Sequence, residues 1–222
     1  ERDWSSDVCS SDLVCSHTSN KKERERERER ERMSGEVVIS TLMERRSCRK
    51  YDQRRVPHEV LERVVETARR APTGMDRQEL RFYVVETPAV AERIGAETAP
   101  AALKAVPRLT ERVAQMGLSN PITCGAPACI VVTAPSDPEM LRYAQLDTGL
   151  AVENILIAAQ ALGLRCLPVA LAAAFNERGI LDIVGAGTDE KMMLLVALGY
   201  PDPRYDELYL PKKEITSRVS FI

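Results

Sequence analysis

The segment from residue 139 to residue 162 constrains the fold more than any other part of this sequence. Asp137 and Pro138 precede it as a cap and a first-turn proline, and Gly163 follows it, which is the usual punctuation of a long helix. Apolar residues nearly surround the predicted helix: Leu146, Leu150, Ile155, Leu156, Ile157, Ala158 and Leu162. A helix that is apolar on most sides must be buried on most sides. We therefore expect a partner subunit to cover one face, with Ile155 at the interface.

Length and composition favour one domain with a substantial core. The chain has 222 residues, of which 44% are hydrophobic, and a domain of this size buries roughly 70% of its unfolded surface. Lys and Arg number 31 against 33 Asp and Glu, which argues against nucleic-acid binding through bulk charge. No apolar run reaches the roughly 20 residues of a membrane-spanning helix. The two His argue against a His-based metal site, and we expect no metal.

The six cysteines contain no CxxC pair. Cys48, Cys124, Cys129 and Cys166 lie in or beside apolar runs, where small buried thiols are common. We therefore expect reduced, structural cysteines and a cytoplasmic protein.

Residues 1–32 differ in composition from the rest of the chain. An opening rich in Ser, Asp and Cys leads to a strict Glu-Arg alternation at residues 23–32, in which favourable and unfavourable helical pairs largely cancel. We expect this segment to be disordered and to derive from upstream translation or cloning, with a charged interaction arm as the alternative. One domain then spans residues 33–222.

A chain that begins at Met33 is expected to keep the melting temperature of the full chain. Residues 1–32 contain few apolar side chains to bury, and ordering them would cost roughly 1 to 2 kcal/mol per residue in conformational entropy. Thermal unfolding of the two proteins tests this expectation. A fall of more than a few degrees in the shorter chain would show that the segment docks on the domain.

The stretch Arg45-Arg46-Ser47-Cys48-Arg49 places three guanidiniums and a hydroxyl at the end of a short helix predicted for residues 36–44. Arg presents a planar fork of donors that suits phosphate oxygens, and Ser adds a donor without bulk. The stretch therefore predicts a site for a phosphorylated cofactor. A solvated basic helix end is the alternative, since the helix dipole also favours Arg near a C-terminus.

Helical and strand patterns alternate along the rest of the chain. Helices are predicted from Pro57 to about residue 70, at 89–97, at 100–116, and from Asn176 to Val184, with Pro100 and Pro107 interrupting the helical pattern. Strands are predicted at 82–86, 128–133, 164–169, 192–198 and, as an edge strand, 215–222. The continuous apolar run at 128–133 is typical of a buried central strand.

Four motifs occur in a characteristic order: the arginine-serine cluster, Ala71-Pro72-Thr73-Gly74-Met75-Asp76-Arg77-Gln78 with the following Arg81-Phe82-Tyr83-Val84-Val85, Ala161-Leu162-Gly163-Leu164, and Ala197-Leu198-Gly199-Tyr200-Pro201. In this order and spacing, residues 37–213 resemble the nitroreductase family of FMN-dependent oxidoreductases. The resemblance implies an α+β fold with a mixed β-sheet flanked by helices. It also implies an intertwined homodimer with a C-terminal extension and with FMN at each of two subunit interfaces.

The resemblance assigns cofactor contacts to several parts of the chain. The arginine-serine cluster matches the positions that contact the FMN phosphate and ribityl chain, the loop after Pro72 matches one that reaches the flavin from the other subunit, and one late lysine matches a second phosphate ligand. The cofactor-binding candidates are Arg45, Arg46, Ser47, Arg49, Thr73, Asp76, Gln78, Asp147, Pro168, Val169, Ala170, Leu171, and Lys212 or Lys213.

Three of these positions carry a more specific expectation. Arg49 matches a cation near the flavin pyrimidine edge, where a guanidinium stabilises the negative charge of the reduced ring. Ala170 matches the position whose backbone lies at flavin N5, a role that does not depend on the side chain. Asp76 departs from the usual Asn, and a carboxylate beside the flavin ring would oppose reduction to an anion.

The implied activity is transfer of a hydride from NAD(P)H through flavin N5 to an electron-poor acceptor, such as a nitroaromatic or a quinone, by a ping-pong mechanism. The flavin performs the difficult step, so no Ser-His-Asp or Cys-His arrangement is required. One alternative is an enzyme of this fold with other chemistry, such as dehalogenation, dehydrogenation or flavin fragmentation. Another is a flavin-binding or redox-sensing module with little turnover.

Overall fold

Four strands form one sheet in the computed structural model, which describes residues 35–204 and 219–220. They are β1 (Arg81–Val85), β2 (Ala128–Pro135), β3 (Arg165–Val169) and β4 (Glu190–Gly199). Neighbouring strands pair antiparallel in the order β1-β2-β4-β3. The four predicted strands are confirmed to within two residues at each end. The predicted edge strand at 215–222 lies almost wholly outside the described residues.

The two central strands are covered on both faces. Along β2, Ile130 and Val132 pack into one hydrophobic cluster, whereas Cys129 and Val131 pack into the cluster on the opposite face. This alternation follows from the strand geometry, in which successive side chains point to opposite faces. The continuous apolar run in the sequence therefore reflects burial on both sides, as predicted.

Helices form a layer on each face of the sheet. One layer contains α2 (His58–Arg69) and α5 (Leu141–Ala161), and the other contains α3 (Pro88–Ala105), α4 (Arg108–Met116) and α6 (Ala170–Val184). The predicted α+β class is confirmed. None of the helices that the structure describes is long and apolar enough to cross a membrane.

The long helix α5 has the predicted end but a later start. It begins at Leu141 with Met140 as its N-cap residue, so the predicted cap at Asp137 is wrong: the Asp137 carboxylate accepts the N–H of Glu139 within a separate turn that precedes the helix. At its other end Gly163 adopts a left-handed φ of 78°, and the N–H of Leu164 donates to the carbonyl of Ala159 at 2.8 Å. This hydrogen bond is typical of a Schellman cap.

Two helix boundaries differ from the sequence prediction. The predicted break at Pro100 is wrong, because α3 continues through it. Pro100 and the carbonyl-bearing residue Ala96 are both exposed, so water can replace the lost hydrogen bond. Helix α6 begins at Ala170, and the predicted start at Asn176 is instead a kink with φ of −155°.

A further helix, α1, covers residues 35–44 and confirms the helix predicted before the arginine cluster. It belongs to the unit Glu1–Glu44, which is distinct from the unit Arg45–Ile222. Its large apolar side chains are exposed: Val37, Val38, Ile39, Leu42 and Met43. The boundary predicted at residue 33 stays a prediction.

Candidate functional site

The arginine segment, residues 45–50, runs beside the edge strand β3. Ser47 forms a parallel bridge with Cys166, and the N–H of Cys48 donates to the carbonyl of Cys166 at 2.9 Å. Tyr51 then bridges Pro201 in the antiparallel sense. The strand pairs that the structure describes are all antiparallel, so the mixed sheet expected from the sequence is reduced there to this isolated parallel bridge. Backbone contacts of the protein itself therefore fix the segment to the sheet, without any ligand.

The cations of this segment are half-buried, as is the Ser47 hydroxyl. A guanidinium N–H of Arg49 donates to the Ser47 carbonyl at 3.4 Å, and one of Arg46 donates to the Arg45 carbonyl at 3.0 Å. Among residues 35–204, neither Arg45 nor Arg49 forms an ion pair with a carboxylate. A partly buried guanidinium without an anion retains unused donors. The donor set therefore fits a phosphate.

The candidates Pro168 to Leu171 lie where β3 passes into α6. Val169 is the last residue of the strand, and Ala170 is the first residue of the helix. First-turn N–H groups have no acceptor within their own helix. The junction therefore offers backbone donors directly after the strand that holds the arginine segment.

The loop at residues 73–78 is held in an unusual backbone conformation. Met75, Asp76 and Gln78 have positive φ angles of 55°, 54° and 52°, and non-glycine residues adopt such angles at a cost. The Thr73 hydroxyl accepts the N–H of Gln78 at 3.1 Å, and the Gln78 amide donates to the Asp76 carboxylate at 2.7 Å. The three candidates thus form one hydrogen-bonded group. Strain maintained by local contacts is typical of binding loops.

Asp147 has a clear role in this structure. Its carboxylate, on α5, accepts the N–H of Gly74 at 3.0 Å, so it anchors the loop to the helix. Direct contact between Asp147 and a cofactor stays a prediction. The sequence carried no signal for the anchoring role, because the two residues are far apart in the chain.

Loop 73–78 and the arginine segment lie at opposite edges of the sheet. The loop leads into Arg81 on β1, whereas Ser47 adjoins Cys166 on β3. The pairing register places Cys166 level with Ala128, and Arg81 level with Thr133. The separation is therefore roughly 14 Å across the strands and roughly 17 Å along them. One chain does not bring its own two groups together, and Lys212 and Lys213 lie outside the described residues.

The four cysteines of the described chain are free and buried, as predicted: Cys48, Cys124, Cys129 and Cys166. Burial raises the pKa of Cys48 to about 11 and that of Cys124 to about 12. Both thiols therefore stay protonated near neutral pH and are poor nucleophiles. No group of three or more potential metal ligands lies together within the described ranges.

The fold and this edge define an α+β protein in which a single antiparallel sheet lies between two helical layers and carries a cationic segment at β3. Residues 42–200 match the sequence profile of the nitroreductase family. The chain belongs to the nitroreductase family, and the resemblance inferred from the motifs is confirmed.

Relatives of known sequence and structure agree with this assignment. A candidate NADH dehydrogenase/NAD(P)H nitroreductase of Methanothermobacter thermautotrophicus is 29% identical over 79% of this chain and 84% of its own. A nitroreductase of Desulfitobacterium hafniense with bound FMN is similar in structure, with a TM-score of 0.70, 23% identity, and coverage of 83% of this chain and 97% of that one. A Bacteroides fragilis nitroreductase with bound FMN gives a TM-score of 0.68, also at 23% identity, covering 83% and 98%. The structural likeness confirms the fold.

Proposed function

We propose that this protein is an FMN-dependent oxidoreductase that takes reducing equivalents from NAD(P)H and passes them to an electron-poor acceptor. The observation that carries the proposal is the parallel bridge between Ser47 and Cys166. It fixes half-buried guanidiniums beside the strand that ends at Val169. The relatives that bind FMN or are named for NAD(P)H support the choice of cofactor and co-substrate.

In this proposal the chain binds and orients the cofactor. Arg45, Arg46 and Ser47 hold the phosphate and ribityl chain, with Lys212 or Lys213 as a second phosphate ligand. Arg49 stabilises negative charge at the flavin pyrimidine edge, and the backbone of residues 168–171 borders the ring. FMN, when bound, supplies two-electron exchange with NAD(P)H and then with a nitroaromatic, quinone or similar acceptor. The four free thiols are consistent with the cytoplasmic location that we propose.

The proposed active form is a homodimer, because each flavin needs both groups of candidates. The arginine segment of one subunit and loop 73–78 of its partner would meet at a shared site, since the two groups of a single chain lie at opposite edges of its sheet. Leu146 and Leu150 on α5 are 67% and 47% exposed. Two neighbouring exposed leucines on a long helix are suited to a subunit interface.

Ile155, expected from the sequence to face the partner, is fully buried in the core of its own chain. Its substitution would unfold the subunit rather than report on an interface. Leu150→Asp is the better test, because desolvating a carboxylate at an interface costs several kcal/mol. We expect the variant to be monomeric and to lose FMN, with a dimer dissociation constant raised roughly 100-fold or more. Light scattering after size exclusion measures the change.

Ala101→Asp serves as the control for Leu150→Asp, since it adds the same charge to an exposed position on α3. It should leave both mass and flavin content unchanged. A Leu150→Asp variant that remained a yellow dimer would show that the interface lies elsewhere.

Anaerobic spectroscopy tests the activity. The protein loaded with FMN should lose its visible flavin absorbance on addition of NADH or NADPH and regain it on addition of a quinone or nitroaromatic. A redox-sensing module with little turnover would bind FMN but exchange electrons slowly with both partners. An enzyme with dehalogenase, dehydrogenase or flavin-fragmenting chemistry would fail the recovery step with quinones and nitroaromatics.

A further inference from the structure

One arginine on α4 lies on the inward face of the helix. Leu109 is buried, and Arg112, Val113 and Met116 are half-buried, whereas the positions between them are exposed. This spacing of three and four residues defines one face of a helix. The guanidinium of Arg112 is therefore carried on the side of α4 that packs against the rest of the domain.

That side of α4 meets the arginine segment. The ammonium of Lys50 donates to the carbonyl of Met116 at 3.4 Å, and Met116 lies one turn beyond Arg112. Gln53 reaches the loop after α4 and donates to the carbonyl of Gly125 at 3.2 Å. The cationic segment and the end of α4 are thus parts of one wall.

The buried thiol of Cys124 responds to charges from both cationic elements. Burial raises its pKa to about 12, and the charges of Arg49 and Arg112 both act to lower it. Both guanidiniums are therefore close enough to this thiol to affect its ionisation. The cationic wall that results contains Arg49, Lys50 and Arg112.

Among the residues that the structure describes, Arg112 and Arg49 form no ion pair with a carboxylate, and Lys50 has the half-buried Asp202 close enough for their charges to interact. Several exposed arginines on other helices pair with a carboxylate three or four residues away: Arg69 with Glu66, Arg93 with Glu97, and Arg178 with Asp182. A half-buried charge that lacks such a partner is unfavourable unless a ligand supplies one. The arginine segment already provides donors for the cofactor phosphate, which leaves Arg112 available for a second anion.

We propose, on the basis of the function proposed above, that Arg112 and Lys50 form an anion subsite that selects the second substrate. The subsite would receive either the carboxylate of an electron-poor acceptor or the extra ribose phosphate of NADPH. Both are oxyanions that a guanidinium binds through charge-assisted hydrogen bonds. Lys50 uses one donor on the Met116 carbonyl and retains two more for the same anion.

The test compares Arg112→Gln with Arg108→Gln, which removes the same charge from an exposed position on the same helix. Acceptor rates are measured with para-nitrobenzoate and its neutral analogue para-nitrobenzamide, and donor rates with NADPH and NADH. Because one charge-assisted hydrogen bond contributes roughly 1.5 to 3 kcal/mol, Arg112→Gln should lower kcat/KM about 10-fold or more for the charged member of one pair. The loss should appear in KM. The neutral analogue or NADH should change less than about twofold, and Arg108→Gln should resemble the wild type.

The pattern of losses identifies the anion. A loss confined to para-nitrobenzoate supports an acceptor carboxylate, and a loss confined to NADPH supports the ribose phosphate. Equal losses for charged and neutral partners, or no change with either pair, would overturn the proposal.

Calorimetric titration with the same four compounds separates this proposal from the proposed function. It measures binding without turnover, so a protein that failed to exchange electrons would refute the oxidoreductase activity and still report on Arg112. Tighter binding of one charged compound, abolished by Arg112→Gln, would support the subsite. Indifference to charge in the wild type would contradict it.

Discussion

Replacing Arg45 by Ala is expected to weaken FMN binding by roughly 10-fold to 150-fold and to leave riboflavin binding almost unchanged. A guanidinium hydrogen-bonded to a phosphate contributes roughly 1.5 to 3 kcal/mol, and each 1.4 kcal/mol is tenfold in affinity. Riboflavin lacks the phosphate, so it should not respond. Titration of the flavin-free wild type and variant with both flavins measures the difference.

The Arg45 experiment also decides between the two interpretations of the arginine cluster. Arg63→Ala is a matched control, because it removes one exposed charge from α2 and should change neither affinity. A solvated helix end would behave like this control, with an effect of a few tenths of a kcal/mol on stability alone. Equal affinity of the wild type for FMN and riboflavin, unchanged in Arg45→Ala, would remove the phosphate role from residues 45–49.

Glu190→Gln is expected to lower the free energy of unfolding by roughly 2 to 4 kcal/mol at neutral pH. Glu190 is only 6% exposed, and its carboxylate accepts hydrogen bonds from Arg81 at 2.6 Å, Tyr83 at 2.7 Å and the N–H of Gly187 at 3.0 Å, as well as from the Thr133 hydroxyl. These contacts join β1, β2 and β4. An amide keeps the volume of the side chain but cannot accept from all of these donors. Urea unfolding of both proteins measures the loss.

The same substitution should make the free energy of unfolding depend less on pH in the acid range. Burial opposes ionisation of Glu190, but its hydrogen bonds outweigh burial and lower its pKa from 4.5 to about 2. A carboxyl group whose pKa is lower in the folded than in the unfolded protein stabilises the fold at pH values above the unfolded pKa. This stabilisation is lost as the pH falls through the folded pKa. The wild type should therefore lose up to roughly 3 kcal/mol through this group between pH 4.5 and pH 2.

Glu97→Gln is the control for Glu190→Gln, because it removes an exposed carboxylate that pairs with Arg93. An exposed pair contributes under about 1 kcal/mol, so this variant should follow the wild type across the acid range. If Glu190→Gln kept both the stability and the acid profile of the wild type, the hydrogen-bond cluster at Glu190 would contribute little to folding.

Local patterns predicted most of the secondary structure because each depends on nearby residues. The apolar run before Thr133 marks a strand buried on both faces, and Gly163 ends α5 through its own left-handed conformation. The prediction failed at Pro100, where the outcome depended on whether the lost hydrogen bond faced water or the core. The expectation that Ile155 faces the partner was wrong for a related reason. The sequence of an apolar helix does not show which of its faces is covered by the rest of the same chain.

By itself, the sequence determined the four strands of the described sheet and most of the helices, the buried free thiols, and the motifs that identify the nitroreductase family. Periodicity and short motifs carry this information because they act over a few residues. Only the tertiary structure decided that Ser47 adjoins Cys166, that loop 73–78 lies at the opposite edge of the sheet, and that Arg112 joins the cationic wall. These relations depend on strand order and helix packing between distant parts of the chain, which local patterns do not encode.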